Sequence, residues 1–264
     1  MRPHVQNRLE QAAADESSVR SLYQDTAVAE SYIDKRFSHS WSRLLHDRQV
    51  EAVNHVLETY KPDRVLEVAP GPARLATALR GVRRGIMVEY SEEMLDVART
   101  RLQAAGLSDV WEVRRGNAFD LGSSPVPCDF LYTFRFIRHF QADERVRLYQ
   151  GFRKCLAAGG LLMFDVVNTV IRQRLDAREP ERPAGDLPVY DVTYAPEEFR
   201  TEMNTQGFEV VRMIPIVTHM ASQSWISCTL DPRLPQMSRL LVRLLERLPS
   251  ANPLEWIAVC RKTA

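Results

Sequence analysis

The chain has 264 residues, 45% hydrophobic and 26% charged, with a formal net charge of +1, enough length and apolar content to bury the core of one α/β domain. The near-neutral balance supplies no field to hold nucleic acid, and the lack of any run of about 18 apolar residues argues against a bilayer span. Four scattered cysteines, Cys128, Cys155, Cys228 and Cys260, sit mostly in apolar contexts and read as packing thiols, not as a disulfide frame or a zinc site, which points to a reducing, cytoplasmic setting.

Residues 1–15 are polar and lack an apolar leader core, so they read as a frayed tail and not as a secretory signal. Trp41, Leu44, Leu45, Val53, Val56, Leu57 and Tyr60 then recur at helical spacing until Lys61-Pro62 stops the pattern. Residues 1–60 are therefore expected to form a tail and helical lid, and residues 61–264 the main domain. Strands are predicted near 64–68, 85–89, 110–114, 128–133 and 160–166, alternating with helices near 73–80, 91–104 and 141–156. This is the rhythm of a doubly wound, mostly parallel sheet, whose ligands bind at strand C-termini. A helix at 195–206 ends at Gly207, an apolar run covers 208–217, and 254–261 closes the chain as a strand. The proline-interrupted stretch 168–253 reads as a substrate-shaping insertion. Within it, the helix 237–248 carries Leu241, Leu244, Leu245 and Leu248 on one side and Arg239, Arg243 and Arg247 on another, the pattern of a docked helix with a solvated basic face, with contact to a membrane or a partner as the alternative.

The chemistry concentrates where the first strand ends. Arg64-Val-Leu-Glu-Val-Ala-Pro-Gly-Pro-Ala73 is an apolar run that breaks into a turn of small residues, with Gly71 as its pivot. Small side chains there let a ligand approach the backbone. Eighteen residues after Gly71, Glu89 caps the next apolar run, where a carboxylate can accept hydrogen bonds from both hydroxyls of a ribose. A dinucleotide site would need G-x-G-x-x-G, whereas this turn reads Ala69-x-Gly71-x-x-Arg74 and puts a long cation where a pyrophosphate requires a small residue, so NAD(P) is disfavoured.

The turn instead resembles the first motif of class I S-adenosylmethionine-dependent methyltransferases, V-L-[DE]-x-G-x-G-x-G, with Glu67 in the acidic place and Ala69, Gly71 and Ala73 in the glycine places. Alanine disfavours positive φ, so either the turn avoids the left-handed region at 69 and 73 or cofactor binding is weakened. Glu89-Tyr90-Ser-Glu-Glu-Met94 resembles the family's second motif, Gly116-Asn117-Ala118-Phe119-Asp120 its G-D-A segment, Cys128–Tyr132 its fourth strand, and Ala158–Phe164 its turn into the fifth. The resemblance implies a Rossmann-like seven-stranded sheet with an antiparallel last strand, and S-adenosyl-L-methionine as cofactor. It also implies that Glu89 holds ribose, that Asn117 and Ala118 read adenine, and that Pro70, Tyr90, Met94, Phe119, Thr133 and Phe134 complete the cofactor site.

Tyr32-Ile-Asp-Lys-Arg36-Phe37 looks like the Y-D-x-x-R-F lid of small-molecule methyltransferases, with Tyr32 over the cofactor and Arg36 either at its methionine carboxylate or solvated at a helix end. Arg135 and His139 leave the fourth strand at its functional end and are the candidate catalytic residues facing the transferred methyl, with His139 as general base; a cap or packing role for His139, and catalysis by alignment alone, are the plain alternatives. Tyr23, Tyr190, Tyr194 and Trp225 are candidate substrate contacts. Nothing in the pattern calls for a metal. The expected activity is methyl transfer to oxygen or nitrogen of a small molecule such as a sugar, polyketide or other secondary metabolite. The expected partner is that acceptor, without nucleic acid or membrane, and the oligomeric state is left open with a homodimer as one option. A catalytically silent subunit on the same fold and an NAD(P)-dependent oxidoreductase are the alternatives.

Overall fold

The computed structural model describes residues 37–178, 191–250 and 252–263. Helix α1 (Ser40–Tyr60) buries Leu44, Leu45, Val53, Val56 and Leu57 along one face and stops at Lys61, which turns left-handed (φ 48°) and donates its N–H to the Leu57 carbonyl. The sheet is built from β1 (Arg64–Val68), β2 (Arg84–Glu89), β3 (Trp111–Arg115), β4 (Cys128–Thr133), β5 (Leu156–Asn168), the short β6 (Thr193–Tyr194), β7 (Phe208–Ile216) and β8 (Glu255–Lys262). Between them run α2 (Glu92–Ala104), α3 (Ala142–Cys155), α4 (Thr169–Arg178), α5 (Pro196–Thr205), α6 (Met220–Leu230) and α7 (Pro235–Glu246).

The strand order is β3-β2-β1-β4-β5-β8-β7, with β6 added on β5 as an eighth strand. The strands from β1 to β6 pair in parallel, while β8 lies antiparallel between β5 and β7. The seven-strand path and the antiparallel β8 are as expected from the sequence.

Side-chain alternation splits the core into two layers. Leu66, Val68, Leu162, Phe164 and Val166 face one way, toward Leu148, Tyr149 and Phe152 of α3 and Phe199 and Met203 of α5. Val65, Phe130, Tyr132, Leu161 and Met163 face the other, toward Val53, Val56 and Leu57 of α1 and Ala98 and Leu102 of α2. The sheet is buried on both faces, which is why its strands read as nearly continuous apolar runs. At Gly85 the β2 backbone passes so close to Trp111 that an added Cβ would lie 2.3 Å from the indole ring.

Two expectations are corrected. No helix spans 73–80, because α1 covers that part of the sheet and only a 3-10 turn at Ala76–Ala78 fits beneath it. The Arg80 N–H is held there by the Asn54 side chain of α1 at 2.9 Å. Nor is 168–253 one insertion: α5 and β7 belong to the sheet and its cover, so the additions are the stretch around α4 and the helical pair α6–α7. Three of the cysteines are buried as expected, but Cys228 on α6 is exposed.

Candidate cofactor and acceptor site

Because β1, β2 and β4 are parallel, their C-terminal ends open on one side, and there the crossovers leave a cavity of about 1060 Å³, mouth included. Its back wall is the turn after β1. The chain is left-handed at Ala69 (φ 53°), Gly71 (φ 56°) and Ala73 (φ 53°), so the turn does not avoid the left-handed region at the two alanines. It keeps the glycine-motif backbone and carries the strain. The Ala69 N–H donates to the Val88 carbonyl at 2.9 Å, which pins the turn to β2.

Glu89 locks the same turn from the other side. Its Oε2 accepts from the Gly71 N–H at 3.0 Å, and its Oε1 accepts from the Tyr90 and Ser91 N–H groups at 2.8 and 3.1 Å. Oε1 is taken up by its two donors, and Oε2 keeps a lone pair for a ligand hydroxyl. Burial raises the Glu89 pKa, and the three backbone hydrogen bonds oppose the rise. Beside it, Ser91 caps α2 by accepting from the Met94 N–H, and the Met94 side chain closes over Gly71.

Glu67 lines the cavity floor. Burial pushes its carboxyl up to about 7, against the pull of the Tyr132 hydroxyl and Arg74. Its Oε2 is buried with no hydrogen-bond partner among the described residues. Arg74 is turned toward α1: its Nη1 donates to His46 Nδ1 at 2.5 Å, its Nη2 to Gln49 Oε1 at 2.7 Å, and its guanidinium stacks over Phe37. Burial and Arg74 push His46 down to about 4, which keeps the imidazole a neutral acceptor.

On the opposite wall, Asn117 Oδ1 accepts from the Phe119 N–H at 3.1 Å and caps a 3-10 turn at Ala118–Asp120. The mouth is formed by the segment after β4, with Phe134, Arg135, Phe136, His139 and Phe140. Arg135 is left-handed (φ 59°), and its N–H donates to Asp165 Oδ1 at 2.6 Å. Arg138 turns away from the cavity into an ionic cage. It makes a two-pronged pair with Asp191 at 2.8 and 2.9 Å, and its Nη1 reaches Asp165 at 2.9 Å and Glu255 at 3.0 Å. Asp191 also accepts from His139, with Nδ1 at 3.1 Å. Burial acts to raise the Asp191 pKa, but the bonds from His139 and Arg138 outweigh it and hold the carboxyl well below the usual range. Glu255, buried in the same cage, is pushed up to about 7 by its burial despite Arg138.

Of the predicted cofactor residues, the cavity brings together Glu67, Ala69, Pro70, Gly71, Glu89, Tyr90, Met94, Asn117, Ala118, Phe119 and Phe134. Ala73 and Thr133 are buried behind it, and both Arg135 and His139 reach its mouth. Tyr194 and Trp225 are not brought there. Tyr194 is a core residue whose hydroxyl donates to Glu202, and Trp225 is 68% exposed on α6. Tyr23, Tyr32, Arg36 and Tyr190 lie outside the described residues. Sequence reasoning did not find the cage of Arg138, Asp165, Asp191 and Glu255, because its members are far apart in the chain and meet only when β4, β5 and β8 pair.

A doubly wound sheet in this order, with an acid-clasped turn after β1 and a ligand cavity on the strand C-termini, defines the class I methyltransferase architecture. Residues 65–160 match the family described as a methyltransferase domain. Residues 65–160 thus resemble a methyltransferase domain, and the sheet order is that of the class I methyltransferase fold. Among solved structures, the fold is similar to magnesium protoporphyrin IX methyltransferase from Synechocystis PCC 6803 with bound SAH, at 10% identity and TM-score 0.63, covering 94% of this chain and 100% of that one. An O-methyltransferase family protein from Burkholderia thailandensis gives 11% identity and TM-score 0.63 over 98% of this chain and 67% of that one. The DhpI–SAH complex gives 17% identity and TM-score 0.57 over 92% and 94%. None of the curated proteins compared matches the chain.

Proposed function

We propose that the protein binds S-adenosylmethionine in this cavity and transfers its methyl group to an oxygen or nitrogen of a small-molecule acceptor, with His139 as general base. The observation that carries the reading is Glu89, which clasps Gly71 across the turn while lining the same cavity as His139. The residues fit the cofactor. Glu67 offers a buried, unpartnered carboxylate oxygen suited to an ammonium, Glu89 offers an Oε2 lone pair to a ribose hydroxyl, and Gly71 presents open backbone where a Cβ would meet only the Met94 sulfur at 4.0 Å. When bound, the cofactor supplies an electrophilic methyl on a sulfonium, so alignment of the acceptor carries much of the rate.

The chain's own part is to hold the acceptor and take its proton. Asp191 selects the tautomer of His139 that carries hydrogen on Nδ1, which leaves Nε2 as the basic nitrogen. When Nε2 takes a proton from an acceptor hydroxyl or ammonium, the Asp191 carboxylate stabilises the resulting imidazolium. Arg138 fixes Asp191 in place with two parallel bonds. Phe134, Phe136 and Phe140 at the mouth offer apolar faces to an acceptor, and Arg135 offers a cation beside them. Sugars, polyketides and other secondary metabolites are the acceptor classes this reading favours, and the three buried, unpaired thiols suit a cytoplasmic setting.

Calorimetric titration with S-adenosylhomocysteine tests the first half. The wild type should bind, and Glu89→Gln, which keeps the shape but weakens charge-assisted bonds, should bind more weakly by about 1.5–3 kcal/mol. A flat wild-type thermogram would favour the silent-subunit reading. For the second half, His139→Gln should lower methyl transfer by about 10²–10⁴-fold with cofactor affinity unchanged, and Asp191→Asn should move the pH–rate profile. Full activity in His139→Gln would remove the base.

A further inference from the structure

Helix α7 half-buries Leu241 and Leu245 but leaves its other leucines outside the docked face. The face it turns to α6 and α1 carries Ser238, Val242 and Glu246: the first two are fully buried, and Glu246 accepts from the Val217 and Thr218 N–H groups at 3.0 and 2.9 Å. At 100° per residue, Met237, Leu240 and Leu244 fall within roughly a quarter-turn on a different face, and Leu248 follows just past the helix end. They are 52, 58, 46 and 52% exposed. Leu234, at the start of the helix, is 50% exposed, and so is most of Trp225 on the paired helix α6. Arg239, Arg243 and Arg247 form a second exposed stripe beside the leucines, with Arg233 in the connection.

The charges on this segment are one-sided. From 231 to 248 there are four arginines and two acids. Both acids are turned inward, Asp231 onto Ser40 and Glu246 onto the end of β7. Arg243 pairs with Asp47 of α1, and the outer surface keeps a basic flank along an apolar ridge. A second copy of this chain would bring the same arginines to the contact, with no outward acid on these helices to meet them. An apolar ridge flanked by cations is the pattern of a helix that lies in a lipid headgroup layer.

We propose that α6 and α7 are a peripheral docking surface for an anionic lipid bilayer, with the α7 leucines entering the headgroup layer and the arginines at lipid phosphates. No helix among the described residues is long and apolar enough to cross a membrane, so the contact is interfacial. The helical pair leaves the sheet after Ile216 and returns at Glu255, which pair at the cavity-bearing edge. Docking through it keeps that edge beside the membrane, whatever acceptor the site takes.

Sedimentation of the full chain with vesicles tests this. The protein should pellet with phosphatidylcholine vesicles containing phosphatidylglycerol and remain in the supernatant with phosphatidylcholine alone. Leu240→Asp/Leu244→Asp should lower partitioning more than tenfold, and Arg239→Gln/Arg247→Gln by about fivefold per arginine. Both variants are on the surface and should keep the wild-type melting temperature. No pelleting with anionic vesicles would overturn the proposal. So would binding that survives Leu240→Asp/Leu244→Asp, equal binding to soluble polyglutamate, or a dimer in light scattering that the same double substitution dissolves.

Discussion

Glu67→Gln should stabilise the ligand-free protein at alkaline pH far more than at acid pH. The carboxyl is buried on the floor of the cavity beside Tyr132, and its pKa rises from the ordinary glutamate value of 4.5 to about 7 in the fold. Between those values the folded state holds a proton that the unfolded chain has released. The stability of the neutral acid is therefore fully present below 4.5 and is lost as pH rises through about 7. At about 1.4 kcal/mol per pH unit, the interval is worth about 3 kcal/mol. Glutamine has the same shape and no charge to desolvate, so it escapes that loss. Urea unfolding of both proteins, followed by circular dichroism at pH 5 and pH 8, should show the free-energy difference moving by about 2.5 kcal/mol in favour of glutamine at the higher pH, the rest of the shift lying below pH 5. Groups common to both proteins, such as Glu255, cancel in the difference. An unchanged difference would mean that Glu67 is already ionised in the folded protein at pH 5, and the desolvation argument would fail. The same reasoning predicts that S-adenosylhomocysteine, through its ammonium, binds more tightly to the wild type at pH 8 than at pH 6, and that Glu67→Gln removes this pH dependence.

Ala69→Gly and Ala73→Gly should each range from neutral to about 1 kcal/mol more stable by thermal unfolding, because relief of a left-handed alanine worth about 1–2 kcal/mol exceeds the entropy cost of glycine. A loss above about 0.5 kcal/mol at both sites would refute the strain. Arg138→Met should cost about 3–5 kcal/mol at pH 8 by leaving the buried Asp165 and Glu255 without their cation, and less at pH 5, where Glu255 is neutral. A pH-independent loss in urea unfolding would point to lost packing instead of uncompensated charge.

The sheet was legible because its two-sided burial writes each strand as an apolar run, and β1, β2 and β4 emerge within a residue of where periodicity puts them. The pairing of the turn with Glu89 was legible for a different reason: small residues and an acid at a fixed separation survive in one dimension, and the fold brings them together at one cavity. Failures came where tertiary neighbours decide. Leu75, Ala76 and Leu79 carry a helical pattern, but α1 claims the surface beneath them and leaves room for one 3-10 turn. Tyr194 has the composition of a ligand contact, yet Glu202 and Phe199 hold it in the core. On α7 the leucine stripe suggests a docked face, while the side that docks is Ser238, Val242 and Glu246, whose value lies in capping β7 and fitting against α6. The cage around Arg138 left no signal, since ionic pairs at separations of 27, 53 and 117 residues have no period.

The functional edge is set before any ligand arrives. Three strands that run in the same direction, β1, β4 and β7, each give way within two residues to a left-handed non-glycine residue: Ala69, Arg135 and Val217. Such conformations cost about 1–2 kcal/mol each, so they persist only where the surroundings fix them. In every case the N–H of the strained residue is tied: Ala69 to the Val88 carbonyl, Arg135 to Asp165, and Val217 to Glu246. The first bond shapes the turn at the cavity wall, and the second sets Arg135 at the mouth while its acceptor, Asp165, holds the Arg138 that is paired with Asp191. The third directs the chain into α6. Cavity wall, cavity mouth and helical appendage therefore share one device, a left-handed exit from a parallel strand held by a single hydrogen bond.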